Sequence, residues 1–207
     1  TQVGSSAASD VYKRQGFIPD TLIKIATRFI SNRRLNEQSV DNNKDMIITE
    51  LSKGAVAEKT HDANEQHYEV PPEFFNYVLG KNLKYSCALF DNANSLDDAE
   101  ESMLKLYIDR ADIKNGHEVL DLGCGWGSFS LYVAERFPNL NITSVSNSND
   151  QITYIQSEAH KRGLSNINAL KMDVNNLQLD QKFDRIVSIE MFEHLRNLSL
   201  IHISEPT

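Results

Sequence analysis

Residues 119–128 read V-L-D-L-G-C-G-W-G-S and constrain this chain more tightly than any other stretch. A short apolar run carries Asp121 near its end, Gly123, Gly125 and Gly127 then alternate with larger residues, and an amphipathic segment follows. That order predicts a strand, a tight glycine turn and the start of a helix. Gly123 and Gly125 permit backbone angles closed to other residues and remove the Cβ that would hold a ligand away. In an α/β sheet such a turn lies at the carboxyl ends of the strands, where cofactors bind.

The flanking sequence supports an α/β fold. Strands are expected over 118–122, 141–146, 167–172 and 183–189. Helices are expected over 127–137, stopped by Pro138, and over 150–162, closed by Gly163. Alternation at these lengths implies right-handed crossovers and a parallel sheet. Upstream, 96–111 predicts a helix capped by Ser95 or Asp97, with Met103, Leu104, Tyr107 and Ile108 as its buried stripe. Residues 73–79 predict a short helix ended by Gly80, and 84–90 set hydroxyls beside an apolar run. Residues 36–62 read as a polar linker with one short helix. Residues 17–35 form a basic amphipathic helix, suited to docking on its own protein or to peripheral contact with an anionic membrane.

The division expected is a leader at 1–15, a helical extension and linker at 16–62, a helical lid at 63–111, an incomplete Rossmann-like core at 112–198 and a tail at 199–207. Leader and tail resemble translated sequencing-adapter read-through, so both ends are expected to be cut edges of a longer protein. A net charge of −8 argues against nucleic-acid binding. Cys87 and Cys124 offer neither a disulfide framework nor metal-ligand spacing, so no metal is expected. No apolar run approaches the roughly 18 residues that span a bilayer, and no signal peptide opens the chain. A cytoplasmic location is the natural expectation.

Two features choose among cofactors. A dinucleotide turn wants G-x-G-x-x-G/A, whereas here Ser128 takes the third small position and the glycines run G-x-G-x-G. Asp121 would repel a phosphate and suits an ammonium-bearing ligand. S-adenosylmethionine, with its sulfonium and amino-acid tail, fits better than a nicotinamide. The second strand then ends in a polar cluster, residues 146–151, where ribose hydroxyls are read, and the third ends in Met172-Asp173-Val174, where an acid and an aliphatic residue can flank adenine. Taken singly, each of these clusters also reads as an ordinary strand end with a helix cap.

From about Asn64 to Asn197 the chain resembles the cyclopropane-fatty-acyl-phospholipid synthase superfamily, and within it the coclaurine N-methyltransferase-like branch. The strings carrying the likeness are A-N-E-Q-H-Y-E-V-P (63–71), E-F-F-N-Y-V-L-G (73–80), K-Y-S-C (84–87), the glycine turn, and R-I-V-S-I-E-M-F-E-H (185–194). The resemblance implies a Rossmann-like S-adenosylmethionine-dependent methyltransferase fold, truncated at its C-terminal side. It implies cofactor contacts at Tyr85 and Ser86, at Gly123 and Gly125, at Asn147 and Gln151, at Asp173 and Val174, and at Ile189, beside the Asp121 carboxylate already read from the turn. It also implies that Glu190, Glu193 and His194 face the transferred methyl group.

An amine acceptor must lose a proton before it attacks, and two carboxylates with an imidazole at a strand end are groups that serve this task. The first expectation is therefore N-methylation of a small, alkaloid-like amine, with Glu190 and Glu193 holding the amine and His194 as base or relay. A plainer alternative makes Glu193 and His194 a cap for the next helix. A second reading is cyclopropanation of a lipid acyl chain, for which the likeness implies a bicarbonate near Cys87 and Glu193. The lipid enzymes tend to carry a small residue where Glu190 stands, which favours the amine. A third is a fragment without activity, since the resembled fold has seven strands and four are legible.

Overall fold

The structure, a computed structural model, describes residues 19–40, 44–57 and 72–197; the expected leader, the tail and the 63–71 string lie outside the described residues. The chain divides into two units, residues 1–50 and 51–207. The first holds α1 (Asp20–Val40) and nearly all of α2 (Lys44–Leu51). α1 runs past the expected end at residue 35, and α2 is the short helix expected within the linker. Leu22, Ile25, Phe29 and Ile30 recur at helical spacing on α1, and each is more than half exposed.

In the second unit α3 (Pro72–Val78) and α4 (Leu96–Arg110) precede a parallel sheet of β1 (Glu118–Leu122), β2 (Asn141–Ser146), β3 (Ile167–Lys171) and β4 (Arg185–Val187). The strand order is β3-β2-β1-β4, with crossover helices α5 (Ser128–Arg136) and α6 (Asn149–Lys161). β1 is paired on both sides, with Asp121 opposite Ser144 of β2 and Val187 of β4. Such a central strand must be apolar on both faces. Val119 joins Leu104, Tyr132, Val133 and Ile142 in one core. Leu120, Leu122 and Val145 form another, against which Phe183 and Met191 pack.

β4 is shorter than the 183–189 run, because at Ser188 a side chain replaces the ladder: its hydroxyl donates to the Leu122 carbonyl at 2.9 Å. α5 stops before Pro138, and the Asn166 amide donates to the carbonyls of Ala134, Phe137 and Leu140, satisfying the orphaned helix end.

Ser95 caps α4, accepting from the Asp98 N–H at 3.1 Å. The acids of its first turns also reach backward. Asp97 accepts from the Lys81 N–H at 2.7 Å, and fully buried Glu100 accepts from the N–H groups of Gly80 and Asn82 at 2.8 and 3.0 Å. A Cβ on Gly80 would lie 2.6 Å from Asp97 Oδ1, so this docking needs glycine. The loop after α3 is thereby fastened to α4 and carried over the carboxyl ends of the strands.

Residues 52–57, expected as linker, are pinned in place. Ala57 exchanges two bonds with the Asn175 side chain, each 3.0 Å, and the Val56 carbonyl accepts from the Arg196 N–H at 2.8 Å. The Asn197 amide donates to the carbonyls of Ser52 and Gly54 at 3.0 and 2.9 Å, from a site 1% exposed. These bonds hold the segment against the chain that follows β3 and β4. Asn197→Leu strands two carbonyls and is expected to lower unfolding free energy by about 2–3 kcal/mol. Denaturant titration reads the loss, and unchanged stability would show that the anchor contributes nothing.

Candidate active site

The glycine turn closes one end of a cavity of about 570 Å³, a volume suited to a small molecule or cofactor. Of the residues expected to bind or react, Tyr85, Ser86, Asp121, Gly123, Gly125, Gln151, Ile189, Glu190, Glu193 and His194 line it. Asn147, Asp173 and Val174 stand just beyond the ends of β2 and β3 and are not among the lining residues. Asp173 caps a single 3₁₀ turn, accepting from the Asn175 N–H at 2.8 Å.

The turn glycines do different work. Gly125 has φ of +53° and nothing within 4 Å of where a Cβ would stand, so its missing side chain is room left on the cavity side. At Gly123 a Cβ would meet Met191 Sδ at 2.8 Å, so this absence admits the chain after β4. The wall is completed by Trp126, whose ring packs 5.1 Å from Phe75 of α3 and 5.6 Å from Tyr154 of α6, with Tyr85 5.2 Å from Phe75. Aromatic contact thus joins α3 and the loop after it to the turn.

Several residues that line this space carry buried polar atoms with no partner among the described residues. Gln151 accepts from the Ser146 hydroxyl at 2.7 Å through Oε1, while its Nε2 has no partner among the described residues. Ser128 Oγ and Trp126 Nε1 are also buried with no partner among the described residues, and all three residues line the cavity. Buried polar groups are seldom left unpaired, and three around one cavity fit a polar ligand. Ser148 serves otherwise, capping α6 by accepting from the Gln151 N–H at 3.4 Å.

Asp121 is 2% exposed at the cavity floor and accepts from the Ser130 hydroxyl, which accepts in turn from Ser144 at 2.6 Å. Burial pushes its carboxyl up to about 6 from 3.8, against the opposing pull of Ser130. At the other end, Glu190 stands at φ +52°, an uncommon conformation for a residue with a Cβ, and its Oε1 accepts from the Cys87 N–H at 2.9 Å. Glu193 and His194 lie on a 3₁₀ turn, Phe192–His194, that has no side-chain cap.

Sequence reasoning did not single out Lys84, although it lines the cavity and is 3% exposed. Lysine is ordinarily a surface residue, so only its place in K-Y-S-C marked it. Ser128 and Trp126 were likewise visible in the turn but not assigned to the site.

The mycolic acid cyclopropane synthetase family model matches residues 56–201. (S)-Coclaurine N-methyltransferase of Thalictrum flavum subsp. glaucum is 39% identical over 193 residues, covering 90% of this chain and 54% of that protein. The solved structure of a coclaurine N-methyltransferase bound to N-methylheliamine and SAH superimposes with a TM-score of 0.78 at 35% identity, over 94% of this chain and 58% of the other. A mycolic acid cyclopropane synthase solved with SAH and CTAB gives 0.59 at 27% identity, over 67% and 48%. The chain spans about half the length of the curated relative it matches.

Asp121 supplies a test of the site's electrostatics. A native carboxyl titrating near 6 binds its proton more tightly than the unfolded chain does at 3.8, so stability falls as pH rises between those values. Asp121→Asn should remove that slope and raise stability at pH 7 by up to about 3 kcal/mol. Denaturant titrations at pH 4 and pH 7 measure it, and equal slopes in the two proteins would refute the assignment.

Proposed function

The chain belongs to the mycolic acid cyclopropane synthetase family, and from that premise we propose that the protein is an S-adenosylmethionine-dependent N-methyltransferase acting on a small, alkaloid-like amine. The observation that carries the choice of acceptor is Glu190, which lines the cavity with Glu193 and His194 and whose Oε1 accepts from the Cys87 N–H. The stronger likeness to an alkaloid N-methyltransferase than to a cyclopropane synthase supports it.

When bound, S-adenosylmethionine supplies a sulfonium methyl group for direct displacement. Asp121 would draw its cationic end, while Tyr85, Ser86, Gly123, Gly125 and Gln151 surround it and Ile189 forms part of the floor. Asn147 is assigned to the ribose, with Asp173 and Val174 at the adenine. Glu190 and Glu193 attract the ammonium form of the acceptor, and a ring nitrogen of His194 takes the amine proton. Holding the nitrogen in line with the methyl group supplies much of the acceleration.

Cyclopropanation of a lipid chain is the second reading, since Cys87 and Glu193 are both present. Against it, the Cys87 N–H already holds a carboxylate, leaving that donor unavailable to a bicarbonate. We also place the protein in the cytoplasm. Peripheral contact with anionic membrane through residues 17–35 is an accessory part of the reading, supported by the exposed apolar residues of α1 beside Lys24, Arg28, Arg33 and Arg34. Among the described residues, no helix is long and apolar enough to cross a membrane.

The deciding experiment supplies methyl-labelled cofactor to this chain, and to a form extended to the length of its relatives, against aromatic secondary amines and unsaturated phospholipids. Label in amines is expected from the extended form; label only in lipids would reverse the choice. Gly125→Val, which fills the open space at a left-handed position, should abolish cofactor binding in calorimetry while the fold persists, and retained affinity would move the pocket elsewhere.

A further inference from the structure

Lys84 is buried, yet among the described residues none of its donated bonds goes to a carboxylate. Its ammonium donates to the Ser86 hydroxyl, to the Cys87 carbonyl at 2.6 Å and to the Tyr107 hydroxyl of α4 at 3.3 Å, and it lies 4.9 Å from the centre of the Tyr107 ring. Three donors thus meet three neutral acceptors. Burying an ammonium on such terms is expensive, and an apolar side chain of the same length would serve packing alone better. Burial draws its pKa below the ordinary lysine value, against the opposing fields of Cys87, Glu190 and Glu100.

The acceptors are placed informatively. Ser86 and Cys87 flank one peptide bond, and the N–H of that peptide is the group that donates to Glu190 Oε1 at 2.9 Å. The cation therefore grips the residues on both sides of this N–H and ties them to α4 through Tyr107. Glu190, 103 positions along the chain, sits in its left-handed conformation at the receiving end.

We propose that Lys84 is a positioning residue of the methyl-transfer site: its ammonium fixes the Ser86–Cys87 peptide so that the Cys87 N–H holds the Glu190 carboxylate at the cavity rim. The inference rests on the reading in which Glu190 engages the acceptor amine. It assigns Lys84 no contact with the reacting atoms.

The test has two arms. By amide hydrogen exchange on this chain, Lys84→Met should speed exchange at the Cys87 N–H by about tenfold or more while amides of β1 and β2 stay protected. Loss of protection throughout the sheet, or none at Cys87, would overturn the proposal. This arm does not depend on turnover, so it stands apart from the reading of Glu190. In the extended form, Lys84→Met should lower kcat about tenfold with cofactor KM within about twofold, and should cost less than about twofold in a Glu190→Gln background. Equal losses in both backgrounds, or a loss confined to cofactor KM, would make Lys84 merely structural. Lys84→Gln, which keeps two donors without the charge, should fall between wild type and Lys84→Met in both arms; a Lys84→Gln no better than Lys84→Met in either arm would also overturn the proposal.

Discussion

At Gly127 a Cβ would sit 2.6 Å from Ile155 Cγ1, and at Gly123 one would sit 2.8 Å from Met191 Sδ. α6 and the chain after β4 therefore approach the β1–α5 turn as closely as they do only because those positions carry no side chain. Gly125 lies between them and faces open space. One turn thus brings α6 in from one side, admits the Glu190 segment from the other, and leaves the gap that becomes the cavity. A larger residue at either flanking glycine would push apart the two walls that the site requires.

Around that gap the protein holds charge where folding alone would not choose it. Asp121 is buried with a single hydroxyl partner, Lys84 is buried among neutral acceptors, and Glu190 occupies a backbone conformation that disfavours side chains. Each opposes stability, and all three line one cavity. Unfavourable choices concentrated this way are the physical mark of a site shaped for a ligand. The surrounding cores of leucine, isoleucine and valine supply the stability that tolerates them.

Much of the fold was legible from local pattern. The strands at 118–122 and 141–146, the Ser95 cap and the Pro138 stop follow from periodicity and turn chemistry within a few residues, so they needed no tertiary information. The candidate site was legible more unevenly. Gly125 and Asp121 stand out because glycine and a carboxylate are unusual at the end of an apolar strand. Lys84 did not, since nothing in its neighbours reveals burial. Residues 52–57 read as linker because their anchors, Asn175 and Asn197, lie more than a hundred positions away.

The sequence by itself determined the order of strands and helices, the glycine turn and the residue types at the mouth of β4, because those depend on backbone preference and on hydrophobic period over short spans. Only the tertiary structure decided that the Ser86–Cys87 peptide faces Glu190, that Glu100 holds the loop after α3, and that Asn197 anchors residues 52–57. Those contacts join segments far apart in the chain. Whether they form depends on how the parallel strands, through their register and crossovers, bring the segments to the same end of the sheet.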